Sequence, residues 1–241
     1  LYDAGSWITL ATTTTNADGR FGFDLPPQSA PVRIRATTTV SSLMTCDAPA
    51  GCDTALFGET VVPAVDLTLD TIVPGAAFAG PIAVTPLTNM AAQWLADLPG
   101  GINNDVILLA NRRIADLFGM DENFIYQRPV DVTDAAEVAA AVGDSNRMRH
   151  ALFAAGTQQL ATNQVMALDT VTRGLAQMFS ILGGQMLLQT GAIDLTELGL
   201  ETDTTTVNYV GLDEYITAAT QVANQVNSGG ALDALIAALP N

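Results

Sequence analysis

The chain contains a single histidine, which is its only side chain with an ordinary pKa near neutrality. Any Ser-His-Asp or Cys-His catalysis would have to use this imidazole, and the sequence has no Gly-x-Ser-x-Gly elbow. His150 follows Arg147-Met148-Arg149 in a segment with helical spacing. We expect it at the surface or packed against a helix, near Asp144 or Asn146. We therefore assign no catalytic residue and expect no enzymatic activity.

Two cysteines lie close together in Thr45-Cys46-Asp47-Ala48-Pro49-Ala50-Gly51-Cys52. Proline and glycine between them make the loop easy to close, so the spacing predicts a disulfide between Cys46 and Cys52. Two unrelated thiols are the alternative. A disulfide indicates an oxidising compartment, and hence an exported protein. A zinc site would need further soft ligands nearby.

Carboxylates are the remaining groups that could bind or react. The densest acidic region contains Asp121, Glu122 and Asp131, which are the best calcium candidates because calcium prefers oxygen ligands. Solvated surface acids are the favoured interpretation, so we predict no metal and no cofactor. Two carboxylates would also suffice for glycoside hydrolysis. However, the chain has only two tryptophans on which a sugar could stack.

Charge and composition limit the partners. There are 25 acidic and 9 basic residues, a net charge of −16, and every basic residue is arginine. Such a surface repels nucleic acid and anionic membranes, so we expect neither as a partner. No apolar run reaches transmembrane length, so we expect no membrane insertion. The start at Leu1-Tyr2-Asp3, without methionine or a basic leader, indicates a mature or truncated form.

The elements that must hold these groups change in character along the chain. Residues 1–80 are strand-like, with alternation at 6–12 and 20–25 around an Asn16–Gly19 turn, and further strands at 32–37, 60–62 and 65–72. The Asn16–Gly19 turn resembles part of a calcium loop, but Leu25 stands where the EF-hand pattern needs glutamate. Alternating short strands with regular turns predict an antiparallel β-sandwich.

Residues 84–241 carry apolar side chains at helical spacing. Thr85-Pro86 starts the first helix, Asn103 or Asn104 caps the second, and Gly119 ends it. Later helices follow Thr133 or Asp134, Ser145 and Leu212, and a further apolar stripe runs over 171–182. The sequence thus predicts an α+β protein of two domains, a sandwich over 1–80 and an all-α helical bundle over 84–241.

The N-terminal segments resemble a known family. Leu1–Gly5, followed by Ala11–Phe23, resembles the carboxypeptidase-regulatory-like, transthyretin-type β-sandwich of bacterial surface proteins. The stretch from Val84 to Thr88, with Leu109–Asn111 and Ile114–Gly119, looks like the helical region that follows such a sandwich in uncharacterised secreted proteins and lipoproteins. The resemblance implies an Ig-like sandwich and an extracellular or cell-surface location. It implies no particular activity.

One departure from that family suggests a function. A strand normally precedes the segment that matches Leu1-Tyr2, so the sandwich looks as if it lacks its first strand. An unfilled edge near residues 6–14 or 61–72 would accept a strand that precedes Leu1 in the same chain, or a strand from a neighbouring subunit. The donor to a neighbour would be residues 202–209 or a segment upstream of Leu1. We therefore expect a non-catalytic subunit or module of a surface filament or adhesin that contacts itself or another surface protein. A glycan- or protein-binding module is the alternative, and a carboxylate-based hydrolase ranks third.

Overall fold

The computed structural model describes residues 1–3, 5–75, 81–96, 101–164, 192–194, 209–227 and 229–239. In these residues the chain is a mixed α/β protein with six α-helices, one short 3-10 helix and four antiparallel two-stranded sheets. The predicted mixture of strands and helices is confirmed. A sandwich is not confirmed, because the described strands pair only two by two.

The strands are short, apart from one ribbon. β1 (Tyr2–Asp3) pairs with β2 (Ser6–Trp7), β3 (Val32–Thr37) with β6 (Thr68–Val73), β4 (Met44–Thr45) with β5 (Thr60–Val61), and β7 (Ala192–Asp194) with β8 (Tyr209–Gly211). The long ribbon of β3 and β6 buries Val32, Ile34 and Val73 on one face and Ile72 on the other. A bidentate ion pair between Arg35 and Asp70, at 2.8 and 2.7 Å, ties the two strands together.

The hairpin predicted around Asn16–Gly19 is wrong, although its turn forms. The Asn16 side chain accepts hydrogen bonds from the amides of Asp18 and Arg20, at 3.0 and 2.9 Å. No β-ladder follows over 20–25, and the predicted strand 6–12 is reduced to β2. Ile8 and Leu10 remain 47% and 42% exposed. The alternating side chains therefore bury too little apolar surface to stabilise an isolated hairpin.

The last strand of the ribbon starts later than predicted. Asp66 has a positive φ of 66°, and its amide, not that of Leu67, donates to the carbonyl of Thr38 at 3.2 Å. This extra residue is a bulge, which aspartate tolerates better than most residues. Regular pairing therefore starts at Thr68 rather than at residue 65.

The helices match the sequence prediction more closely. They are α1 (Pro86–Ala96), α2 (Asn104–Phe118), a 3-10 turn (Phe124–Tyr126), α3 (Ala135–Ala141), α4 (Ser145–Gln164), α5 (Leu212–Val226) and α6 (Asp233–Ala237). Asn103 caps α2 by accepting from the amides of Asp105 and Val106, and Gly119 ends it with φ 63°. Asp134 caps α3 in the same way. The predicted stripe at 171–182 and the candidate donor strand at 202–209, apart from Tyr209 in β8, lie outside the described residues.

Strands and helices share a core. The largest buried cluster joins Val32, Ile72 and Val73 of the ribbon to apolar side chains of α1, α2, α4 and α5. Helix α4 lies at the centre, because almost every residue from His150 to Ala161 is buried. The two-domain boundary remains a prediction. Among the helices of the described ranges, none is both long and apolar enough to cross a membrane.

Candidate functional site

The predicted disulfide is confirmed. Cys46 and Cys52 are bonded, with their Cα atoms 5.7 Å apart, and both are buried. Their loop contains Asp47 and forms a small apolar cluster with Ala48, Ala55 and Val61. The bond therefore holds a carboxyl group at a fixed place in the structure.

Three polar side chains of α4 hold the same loop. Gln158 accepts from the amide of Asp47 at 2.5 Å, and Gln159 accepts from the amide of Ala50 at 3.0 Å. Thr162 donates to the carbonyl of Gly51 at 3.0 Å. These groups satisfy backbone atoms that the loop cannot satisfy itself. They also explain why glutamines lie in the buried part of a central helix.

Loss of the disulfide should weaken the protein without unfolding it. The Cys46→Ala/Cys52→Ala double variant should lose about 2 kcal/mol, because a ring this short constrains few unfolded conformations. Its loop should still be held by Gln158, Gln159 and Thr162. Urea unfolding gives the loss, and mass measurement after alkylation without reductant checks the bond in the native protein. Two alkylated thiols in the native protein, or global unfolding of the variant, would contradict this account.

The disulfide loop forms one wall of a cleft of about 410 Å³. Three aspartates line it, Asp18 from the Asn16–Gly19 turn, Asp47 from the disulfide loop and Asp131 from the segment before α3. The floor is apolar and is formed by Leu69, Val84, Val130, Val132, Ala151 and Ala154. No aromatic side chain is part of this lining among the residues that the structure describes.

Asp47 is the electrostatically unusual group of the cleft. Burial, together with the neighbouring Asp131 carboxylate, raises the pKa of Asp47 to about 7. Its carboxyl group makes no hydrogen bond within the described part of the chain. Arg128 also lines the cleft, but it pairs at 2.8 Å with Glu137, whose other oxygen lies 3.5 Å from Arg147. The cleft therefore has a surplus of negative charge that its own arginine does not offset.

His150 packs in the core rather than lying at the surface. Its contacts are not the predicted Asp144 or Asn146. It is fully buried, its Nε2 lies 2.9 Å from the hydroxyl of Thr85, and its ring packs edge-on against Phe124. Nδ1 has no partner. Burial lowers the pKa of His150 to about 3. The imidazolium would need two acceptors, and the described part of the chain supplies one, the hydroxyl of Thr85.

The three calcium candidates do not form one site. Asp121 accepts from the backbone and side chain of Asn123, Glu122 pairs with Arg112 at 2.7 Å, and Asp131 accepts from Thr133. Over the described ranges, no group of three or more His, Cys, Asp or Glu side chains could hold a metal ion. Only Asp131 lies in the cleft.

The cleft could support two kinds of chemistry. A protonated carboxyl beside an ionised one is the pairing that hydrolases use as acid and base. A wall without aromatic rings offers no stacking surface for a sugar, however, and the three aspartates favour binding of a cation. Sequence reasoning missed Asp47, although an aspartate inside a disulfide loop and two glutamines inside an apolar helix were available signals.

Comparison with known proteins adds no relative to this description. The resemblance to the transthyretin-type sandwich rests on residues 1–23, which in the structure form the β1–β2 hairpin and an irregular segment. That resemblance therefore remains a hypothesis. No family model, no curated protein and no solved structure matches the chain.

Proposed function

We propose that the chain is a non-catalytic extracellular structural protein, a subunit or module of a bacterial surface filament or adhesin. It joins a neighbouring copy or another surface protein by adding a strand to the outer edge of β3. Residues 1–80 supply the docking edge in this proposal, and residues 84–241 hold it in place. The disulfide supports an exported location. The observation that carries the proposal is that the backbone groups of Asp70 on the outer edge of β6 are hydrogen-bonded, whereas those on the outer edge of β3 are not, within the described residues.

The register of the ribbon determines which backbone groups face outward. The Thr38 amide donates to Leu67 at 2.9 Å, so Thr38 faces β6 with its hydrogen-bonding groups. Pairs alternate along an antiparallel ladder. The amides and carbonyls of Arg35 and Thr37 in β3, and those of Asp70 in β6, therefore point away from the ribbon.

The two outer edges differ in how they are covered. On β6, the Asp70 amide donates to Asn89 at 2.8 Å and its carbonyl accepts from Thr88 at 3.2 Å, so α1 covers this edge. On β3, the outward groups of Arg35 and Thr37 make no backbone hydrogen bond to any described residue. The sequence predicted an open edge at 6–14 or 61–72. Because α1 bonds to the outer edge of β6 at Asp70, we propose the edge of β3 instead.

The surroundings of the β3 edge favour a partner. Residues 35–37 are exposed. The loop after β3 exposes Val40 and Leu43, and the loop before β6 exposes Val62 and Val65. The exposed fraction of these four residues is 53–83%. Exposed apolar side chains at the end of a ribbon that also has an unpaired strand edge are typical of a contact surface.

A proline at the edge tests the proposal. Thr37→Pro removes one outward amide without removing a hydrogen bond to β6, so it should abolish or strongly weaken assembly while the protein stays folded. Thr37→Ala is the matched control, because it loses the same side chain and keeps the amide. Light scattering after size exclusion and electron microscopy of the native protein would measure assembly. Wild-type protein that stays monomeric at high concentration, or Thr37→Pro that assembles like Thr37→Ala, would refute strand addition.

A binding module is the second candidate, and the acidic cleft is the observation that favours it. The cleft lies beside the disulfide loop, not on the β3 edge, so the two roles are separable. A protein with no assembly but a measurable ligand in the cleft would support this second candidate.

A further inference from the structure

We infer that the cleft lined by Asp18, Asp47 and Asp131 binds a primary ammonium or guanidinium group carried on a short apolar stem. This site goes beyond the proposed assembly role and does not depend on it. The position of Asp47, the charge around it and the apolar lining of the cleft all favour such a ligand.

Asp47 is held in place without using its carboxyl group. Its amide is bound by Gln158 at 2.5 Å, and its neighbour Cys46 is fixed by the disulfide. The carboxyl group lines the cleft and has no hydrogen-bond partner in the described residues. Partly buried carboxyl groups normally have a partner, because an unsatisfied one is costly. A ligand cation would supply a charged donor in place of the solvent that reaches these oxygens.

The charges around Asp47 favour a ligand with a positive charge. Asp131 uses one carboxylate oxygen for the amide and hydroxyl of Thr133, at 2.9 and 2.7 Å, and its second oxygen accepts no bond that the structure shows. Asp18 also lines the cleft. Arg128 is engaged by Glu137. An anion would meet three carboxyl groups here, whereas a cation would relieve the repulsion between Asp47 and Asp131.

The floor selects the shape of the ligand. Leu69, Val84, Val130 and Ala154 give it aliphatic walls, and a cleft of about 410 Å³ lies within the usual range for small-ligand sites. A bare hydrated metal ion would gain nothing from such walls. An alkyl stem would be buried against them while its charged end reached the aspartates, in the way lysine and arginine side chains bury their stems.

The test uses the full chain and n-pentylammonium as the probe, measured by calorimetry at constant ionic strength. Binding should be saturable, and 1-pentanol, which has the same stem without the charge, should bind more weakly. Asp47→Asn should weaken pentylammonium binding about tenfold or more, as expected for loss of a charged hydrogen bond. Asp53→Asn is the matched control, because Asp53 follows Cys52, is exposed and does not line the cleft. That variant should bind like the wild type.

Two further arms make the result specific. Because Asp47 holds a proton near neutrality, binding at about pH 6 should release protons, seen as a dependence of the heat on buffer, and Asp47→Asn should remove that release. A short N-acetyl-lysine amide probe separates a free amine from a side chain of a partner protein; binding of either supports the site. Equal binding to Asp47→Asn, equal affinity for pentanol, or binding of calcium without pentylammonium would overturn the inference.

Discussion

Replacing Gly156 with valine should destabilise the protein by about 3 kcal/mol or more, the upper end of what overpacking usually costs. Gly156 lies in α4 where α5 crosses it, and a Cβ atom there would lie 3.0 Å from the Cα and amide nitrogen of Ala219. The nearest atoms belong to backbone, which cannot turn aside. The two helices would have to separate, and the buried bonds of the Tyr215 hydroxyl to Thr157 and to the Phe153 carbonyl, at 2.9 and 2.7 Å, would be stretched.

Two further variants make this measurement informative. Gly156→Ala should be destabilising by less, because alanine demands a shift of only a few tenths of an ångström and gains some helix propensity. Gly143→Ala should be neutral or slightly stabilising, since nothing lies within 4 Å of the added methyl group. Urea unfolding followed by circular dichroism gives the three free energies. A Gly156→Val protein as stable as Gly143→Ala would show that α4 and α5 are not in close contact.

Asp47→Asn should stabilise the protein at neutral and alkaline pH while leaving it unchanged in acid. In the folded protein the pKa of Asp47 is raised from 3.8 to about 7. Between these values the folded state holds a proton that the unfolded state has lost, so stability falls as the pH rises from about 4 to about 7. Asparagine is never charged and avoids this loss. At about pH 8 the variant should be more stable by about 2–4 kcal/mol, from roughly 1.4 kcal/mol per unit.

His150 contributes the opposite pH dependence to the free energy of unfolding of the wild type. Its pKa is lowered from 6.5 to about 3, so the unfolded state binds a proton between these values and the folded state does not. Stability is therefore lost as the pH falls from about 6.5 towards 3. The two slopes oppose each other between about pH 4 and 6.5, so the wild type should be nearly flat there. Without Asp47, stability should rise steadily with pH over that range.

Urea midpoints at several pH values would check both slopes. The charged groups that face Asp47 are Asp18, Asp131 and Arg128, and all are retained in Asp47→Asn. Asp53→Asn again serves as control and should follow the wild-type curve. Parallel curves for wild type and Asp47→Asn would mean that Asp47 is ionised normally in the folded protein.

Sequence reasoning located the helices better than the strands, for a physical reason. A helix end depends on residues within one turn, so Thr85-Pro86, Asn103 and Gly119 could be recognised from the sequence. A strand depends on a partner that the local sequence does not specify. Residues 20–25 alternate as a strand should, yet they pair with none of the described strands. The ribbon of β3 and β6 formed because both strands also pack on α1 and the helical core.

The disulfide could be predicted for the same local reason, while the site around it could not. Cys46 and Cys52 are six residues apart, so their spacing was enough. The raised pKa of Asp47 arises from burial and from Asp131, which is distant in the sequence. His150 likewise finds Thr85, 65 residues away, rather than its helical neighbours Asp144 and Asn146. Sequence patterns indicate contacts between residues that are close along the chain. The environments of Asp47 and His150 depend instead on residues that are distant in sequence and close in space.

The hydrogen bonds between α4 and the disulfide loop have a consequence for how the chain folds. Gln158, Gln159 and Thr162 contact residues that precede them by 109 to 111 positions. The ring itself can close as soon as its own few residues emerge, but its docking groups emerge much later. Contacts of such long range also slow folding, since a large loop must close before they form. A nascent chain that ends before α4 would therefore carry an oxidised ring whose amides at Asp47 and Ala50 are still bound to water.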